Sequence, residues 1–303
     1  MRYRLWTYFL VTPLFILSMT GVLRAEQGWQ TGLTLLADRD AVDSPNSAGL
    51  QLDLETHFVY GLEASRRFEF AGRGWTDLSF GLSHERYPDA KSNNRLYLDA
   101  EILRTLPLDH PFWTQLRLGA QARHASGPDG EVFSRLRLST ALRFAPAPRQ
   151  TVQLRARIGY REQNDLNTFQ GYDQREYLFD AMHMWGSKDW SRRGTTTLYA
   201  ERRDAEAAKF SYNEFGLRLA YNQRLDPDTN LLAKMTLFAR DYDAGGRYDE
   251  RFQVRLGIEK GLAEQLDMEA YLGYETNNST NGQKSYNGGL LGVMFSVPLK
   301  WPM

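Results

Sequence analysis

The feature that most limits this chain is alternation. In residues 151–162, TVQLRARIGYRE, Val152, Leu154, Ala156, Ile158 and Tyr160 share one parity. Gln153, Arg155, Arg157 and Arg161 share the other, with Gly159 between them. Successive side chains of a β-strand point to opposite faces, so this is a strand with one apolar and one polar face. The pattern recurs along most of the sequence. From about Gly49 to Phe70, one parity carries Leu50, Leu52, Leu54, Phe58, Tyr60, Leu62, Ala64, Phe68 and Phe70.

Alternation and turn residues together predict about fourteen strands. They lie near 28–38, 49–70, 75–88, 93–106, 112–126, 131–146, 150–163, 172–187, 192–205, 210–225, 229–243, 248–262, 266–276 and 285–301. The segment 172–187 alternates least cleanly. The connectors alternate as well. AGRG (71–74), PLDHP (107–111), APAPR (145–149), DPD (226–228) and GLAEQ (261–265) are tight. PDAKSNN, SGPDG, NDLNTFQGYD, DAGGR and NNSTNGQKS are polar and mostly longer. Short turns at one end and longer loops at the other are the pattern of an outer-membrane barrel.

Tryptophan placement agrees. Trp29, Trp75, Trp113, Trp185 and Trp301 lie near the short-turn end or the termini, and Trp190 sits in a short turn. Many tyrosines favour the long-loop end, among them Tyr87, Tyr160, Tyr172, Tyr242, Tyr248, Tyr274 and Tyr286. Aromatic girdles at two membrane interfaces produce such a partition, and Trp29, Trp75, Trp113, Trp185 and Trp301 are read as interface aromatics. The expected fold is therefore all-β: one antiparallel, up-and-down transmembrane β-barrel of about fourteen strands, with twelve or sixteen as the neighbouring solutions. Polar faces turn onto a watery lumen and apolar faces meet lipid. A closed barrel satisfies every backbone group in a bilayer.

Composition narrows the function. The 303-residue chain has no cysteine, which excludes disulfides, thiolate metal sites and cysteine nucleophiles. Its 37 basic and 37 acidic residues give zero formal charge, so no nucleic-acid partner is expected. The start, MRYR followed by LWTYFLVTPLFILSMTGVL and RA, reads as a secretory signal peptide over 1–25, with the barrel over 26–303. Removing that segment removes Arg2, Arg4 and Arg24 and no acid, leaving a net charge of about −3.

The lumen parity carries a charge pattern. Three consecutive strands bring Arg117 and Arg123, then Arg135, Arg137 and Arg143, then Arg155, Arg157 and Arg161, with no acid interleaved among these arginines on that parity. Acids line the strands before this wall, as Asp77 and Glu85 and then Asp99 and Glu101, and the penultimate strand, as Asp267 and Glu269. The arrangement predicts a transverse field across a pore. Arginine donates a planar fork to carboxylate, sulfate or phosphate groups. No predicted outer loop much exceeds ten residues, so the side chains themselves are expected to set the constriction.

Enzyme motifs are lacking. His57, His84, His110, His124 and His183 fall in no hydrolase pattern, there is no G-x-S-x-G, and no H-x-x-x-H spacing occurs. DRDAVDSPN (38–46) and RDYDAGGRYDE (240–250) are acidic but do not match a calcium loop. No catalytic residue, metal or cofactor is expected.

The final strand, LLGVMFSVPLKWPM, places Leu291, Val293, Phe295, Val297, Leu299 and Trp301 on one face. It resembles the signal read by the bacterial barrel-insertion machinery, although Pro298, Pro302 and Met303 depart from that signal. FARDYDAGGRYDERFQVRLGIEK and YLGYETNNSTNGQKSYNGG, with this strand, resemble the barrel portion of surface lipoprotein assembly modulators and exopolysaccharide exporters. That resemblance covers about a third of the chain and implies an export role. The helical-repeat domain of those proteins has no counterpart in the sequence, so export would need a periplasmic export partner. Two functions follow as expectations. One is a porin-like outer-membrane channel passing polar or anionic solutes. The other is a partner-gated conduit for polysaccharide or surface lipoprotein. Both place the chain among outer-membrane lipid.

Overall fold

The computed structural model describes residues 23–24, 28–43, 52–164 and 171–299. Among them, fourteen long strands form one sheet that closes on itself. They are β1 (Gln30–Asp43), β2 (Leu52–Phe70), β3 (Gly74–Arg86), β4 (Arg95–Pro107) and β5 (Gln115–Gly127). Then come β6 (Gly130–Phe144), β7 (Gln150–Gln163), β8 (Gln174–Gly186), β9 (Arg192–Ala205) and β10 (Tyr212–Asp226). The last four are β11 (Thr229–Tyr242), β12 (Tyr248–Ala263), β13 (Leu266–Ser279) and β14 (Tyr286–Leu299). Each pairs antiparallel with its neighbours in sequence, and β14 returns to β1 through Val293↔Ala37 to Leu299↔Thr31. The two residues Leu23–Arg24 extend the sheet beside Phe70 and Glu69 of β2. The rest of the predicted signal segment lies outside the described residues, as do Trp301 and the two residues after it.

Strand ends fall within a few residues of the expected positions. The weakly alternating segment is a full strand, Gln174–Gly186. β2 is the longest, at 19 residues. It needs that length because its pairing with β1 (Asp43↔Leu52 to Gln30↔Ser65) is offset from its pairing with β3 (Phe58↔Arg86 to Phe70↔Gly74). Such stagger is the shear that barrel closure requires. The β2–β3 turn depends on Gly74, whose φ is +81° and whose Cβ, if present, would lie 2.0 Å from the Thr105 carbonyl oxygen. Only glycine fits there.

Polarity is inverted relative to a water-soluble fold. Glu176, Asp180, Glu275 and Thr105 are almost wholly buried. Leu291, Phe215, Leu272, Leu198 and Ile158 are exposed, each by more than half. The buried carboxylates Asp38, Glu176, Asp180, Glu201, Glu214, Asp249 and Glu275 all share the face opposite the exposed leucines of their strands or of the strands beside them. A sheet that hides carboxylates and shows leucines is stable only if its outer face meets hydrocarbon.

Candidate functional site: the charged inner face

Register decides which inward charges meet. Arg117 and Arg123 on β5, Arg135, Arg137 and Arg143 on β6, and Arg155, Arg157 and Arg161 on β7 all lie on the face opposite the exposed Leu118, Leu138 and Ile158. They divide into two groups by partner.

The first group is paired with acids. Arg123 bonds Asp99 of β4 at 2.6 Å. Arg137 donates to Glu176 of β8 at 2.6 Å, and Arg155 reaches Asp180 of β8 at 2.7 Å. Arg157 lies 3.9 Å from Glu201 of β9, whose nearer partner is Arg203 at 2.6 Å. The three arginine strands interleave no acid among these arginines, but β8, immediately after them, brings two. Glu176 and Asp180 escaped sequence analysis because β8 alternates poorly. Their parity, opposite the exposed Tyr177 and Phe179, is the signal that could have found them.

The second group meets neutral partners. Gln153, itself 3% exposed, accepts from Arg143 Nε at 2.7 Å and from Arg117 at 3.2 Å. Gln163 accepts from Arg161 at 2.8 Å. The Phe133 ring lies under Arg161 at 3.9 Å and beside Arg135 at 5.8 Å. Among the described residues, none of Arg117, Arg135, Arg143 and Arg161 has a carboxylate within 4.0 Å. A glutamine oxygen orients a guanidinium without neutralising it.

The predicted acidic residues also divide. Asp77 holds Arg67 at 2.7 Å, Asp99 holds Arg123, and Glu269 meets Lys234 at 3.3 Å. Glu85 accepts from the Tyr97 hydroxyl at 3.2 Å. Glu101 and Asp267 are exposed. Beyond the predicted set, inward pairs continue as Arg240–Glu214, Arg251–Glu275 and Arg255–Asp38.

Of the interface aromatics, Trp29 packs on Phe80, Trp113 on Phe112 and Phe144, and Trp185 on Tyr221, all beside outward residues at the short-turn end. Trp75 differs. Its indole donates to Asp77 at 3.1 Å and lies 5.1 Å from the Arg67 guanidinium, so it faces the lumen. Its parity with Asp77 puts it there, although its position along the strand suggested a girdle.

At the long-loop end, Arg202 holds Asp243 through two bonds of 2.6 Å, and that hydrogen bonding keeps the Asp243 carboxyl below the usual range. The Tyr87 hydroxyl, in the loop after β3, is pushed up by burial and then by Asp40 and Glu85. Tyr87 stacks on His57 of β2 at 5.1 Å. The short outer loops of the sequence predict a lumen narrowed by side chains alone. The structure instead lays the loop-end parts of β1 and β2 against the inner face of β13 and β14, where Leu54 packs on Tyr271, Tyr286 and Leu290.

These features define the class: a closed, fourteen-stranded outer-membrane β-barrel with a charged interior. No protein-family model matches the chain, and no curated protein matches its sequence. Solved structures do resemble it. The outer membrane channel DcaP of Acinetobacter baumannii aligns over 90% of this chain and 96% of its own, with a TM-score of 0.52 and 10% identity. OmpT, an outer membrane protein of Vibrio cholerae, aligns over 91% of this chain and 100% of its own, with a TM-score of 0.50 and 10% identity. At that identity the likeness is one of fold.

Proposed function

We propose that this barrel is a passive, porin-like channel in which two uncancelled pairs, Arg117 with Arg143 and Arg135 with Arg161, favour anionic or polar solutes. The observation that carries this reading is the choice of partner. These four guanidinium groups are oriented by Gln153, Gln163 and the Phe133 ring rather than cancelled by acids. Their charge is left to act on whatever passes. Arg123, Arg137 and Arg155, by contrast, serve mainly to hold the wall together through their acids. A carboxylate or phosphate exchanges water for a bidentate fork at either pair. The resemblance in fold to a channel supports a conducting barrel and says nothing of the solute.

The test is single-channel recording of the refolded protein in a planar bilayer, with reversal potentials in a salt gradient. An anion-preferring current that moves toward neutrality when all four arginines become Gln is expected. A folded barrel that passes no current would overturn the passive channel in favour of a partner-gated export conduit.

A further inference from the structure

The ladder between β1 and β14 stops halfway. It runs from Leu299↔Thr31 to Val293↔Ala37. Beyond that point β14 continues along β13 as far as Asn277↔Tyr286, and β1 continues along β2 as far as Asp43↔Leu52. Among the described residues the facing edges, 286–292 and 38–43, do not pair with each other. The seam is bridged by a side chain instead. Arg39 donates to the Gly289 carbonyl at 3.1 Å and to the Leu54 carbonyl at 2.8 Å.

Side-chain direction shows where the two arms have gone. Leu52 and Leu54 share parity with the lipid-facing Phe58, Tyr60 and Leu62. Yet Leu54 is buried against Tyr271, Tyr286 and Leu290, which lie on the face opposite the exposed Leu272 and Leu291. The outer face of the arms therefore covers the inner face of β13 and β14. Gly288 permits the approach, since a Cβ there would sit 2.7 Å from Leu54 Cδ1. Asp38 fastens the base of the arm to Arg255 of β12 at 3.4 Å.

The alternative placement is written into the same residues. Continuing the Val293↔Ala37 register would set Arg39 opposite Leu291 and Ala41 opposite Gly289. Leu52 and Leu54 would then turn outward, in line with Phe58, Tyr60 and Leu62. The edge of β14 would gain backbone partners, which a membrane-embedded strand otherwise lacks. We propose that the paired arms Asp38–Val42 and Leu52–Thr56 are a movable constriction. Here they are folded over the lumen face of β13–β14; swung outward, they complete the wall and widen the passage. Among the described residues, the contacts that hold them inward include Arg39, the Asp38–Arg255 ion pair, a hydrogen bond from the Tyr271 hydroxyl to Asp38, and a small apolar cluster.

The inference concerns the size of the passage and is independent of its ion preference. The chain has no cysteine, so two introduced thiols are unique. Leu54→Cys with Gly288→Cys, joined by a short cleavable thiol crosslinker in the reconstituted full chain, fixes the folded-in state. Conductance is expected to stay at one low level while linked, and to gain a level at least twofold larger after cleavage. Failure of a folded barrel to crosslink overturns the placement, and identical levels before and after cleavage overturn the gating. Arg39→Ala with Asp38→Asn is expected to lengthen the time spent at the larger level, and unchanged dwell times also overturn it. Should the barrel pass no current, a fluorophore on Leu54→Cys decides the matter. Partial quenching by a lipid-borne quencher supports outward excursions, and complete protection refutes them. Anion preference, read separately from reversal potentials, bears only on the channel assignment.

Discussion

Arg137 and Glu176 meet across a strand that lies between them. Arg137 is on β6 and Glu176 on β8, and the residue in register with both is Gly159 of β7. A Cβ at 159 would sit 2.9 Å from Arg137 Cγ and 3.3 Å from Glu176 Oε2. The missing side chain opens the gap through which the 2.6 Å bond forms. Here lies the reason for the lone glycine among the arginines of TVQLRARIGYRE.

Breaking that pair from one side is expected to be costly. Glu176 is 1% exposed, and Arg137→Ala would strand its charge. Loss of one member of a buried pair costs about 3–5 kcal/mol, whereas replacing both members by apolar residues costs far less. Urea unfolding of the refolded barrel should therefore rank Arg137→Ala well below the double variant Arg137→Leu with Glu176→Leu. Equal stability of the two would show that lumen water already screens the pair.

Gly159→Ala tests the gap itself. The new methyl would also press on the Leu136 carbonyl oxygen at 3.1 Å. Overpacking of this kind costs about 1–3 kcal/mol. A midpoint shift of that size is expected, together with a smaller added penalty when Arg137 has already been removed. Additive penalties would separate Gly159 from the ion pair.

Arginines of the two groups should differ in reversal potential. Replacing Arg143 by Gln removes one positive charge and leaves Gln153, which is neutral, behind. Replacing Arg155 by Gln removes the same charge and also frees the Asp180 carboxylate. Both variants lower the lumen charge by one and lose anion preference, and Arg143→Gln, which removes a charge no acid cancels, is expected to move further. The comparison is made in one salt gradient at low ionic strength, where screening is weakest. A larger shift from Arg155→Gln would mean that the freed Asp180 carboxylate, rather than the uncancelled arginines, dominates the field seen by the solute.

The Arg202–Asp243 contact gives a pH dependence of known sign. The Asp243 carboxyl is depressed in the folded chain by the bonds from Arg202. Its contribution is thus present above the unfolded carboxylate value of about 4 and lost as pH falls through the lower folded value. Exposed pairs contribute at most about 1 kcal/mol. Asp243→Asn should lower the melting midpoint slightly at pH 7, and the difference should shrink as pH falls below about 4. A difference that does not shrink with falling pH would point to packing rather than charge.

Tyr199 lies over Gly216, its register partner, so closely that a Cβ at 216 would fall 2.4 Å from the ring. Its hydroxyl donates to Glu214 at 2.7 Å. Gly216→Ala is expected to destabilise the β9–β10 pairing by about 1–3 kcal/mol through this overlap. Tyr199→Ala should relieve that penalty, as a double-mutant cycle would show.

The sequence by itself determined the strands, the end each connector occupies and, where alternation is clean, the face the apolar residues and arginines take. It could do so because alternation is local: a period of two over ten or more residues needs no knowledge of neighbours. It also located Trp29, Trp113 and Trp185 at the short-turn end. Only the tertiary structure decided which arginines are cancelled. Glu176 reaches Arg137 from two strands away, and Gln153 receives both Arg117 and Arg143, which are 36 and 10 residues distant in the chain. Such meetings depend on register, and register is a property of pairs of strands. Parity was equally silent about Leu54. Folding the arms of β1 and β2 inward leaves their alternation intact and changes only what each face touches, so the same sequence reads as wall whether it lies in the wall or in the lumen.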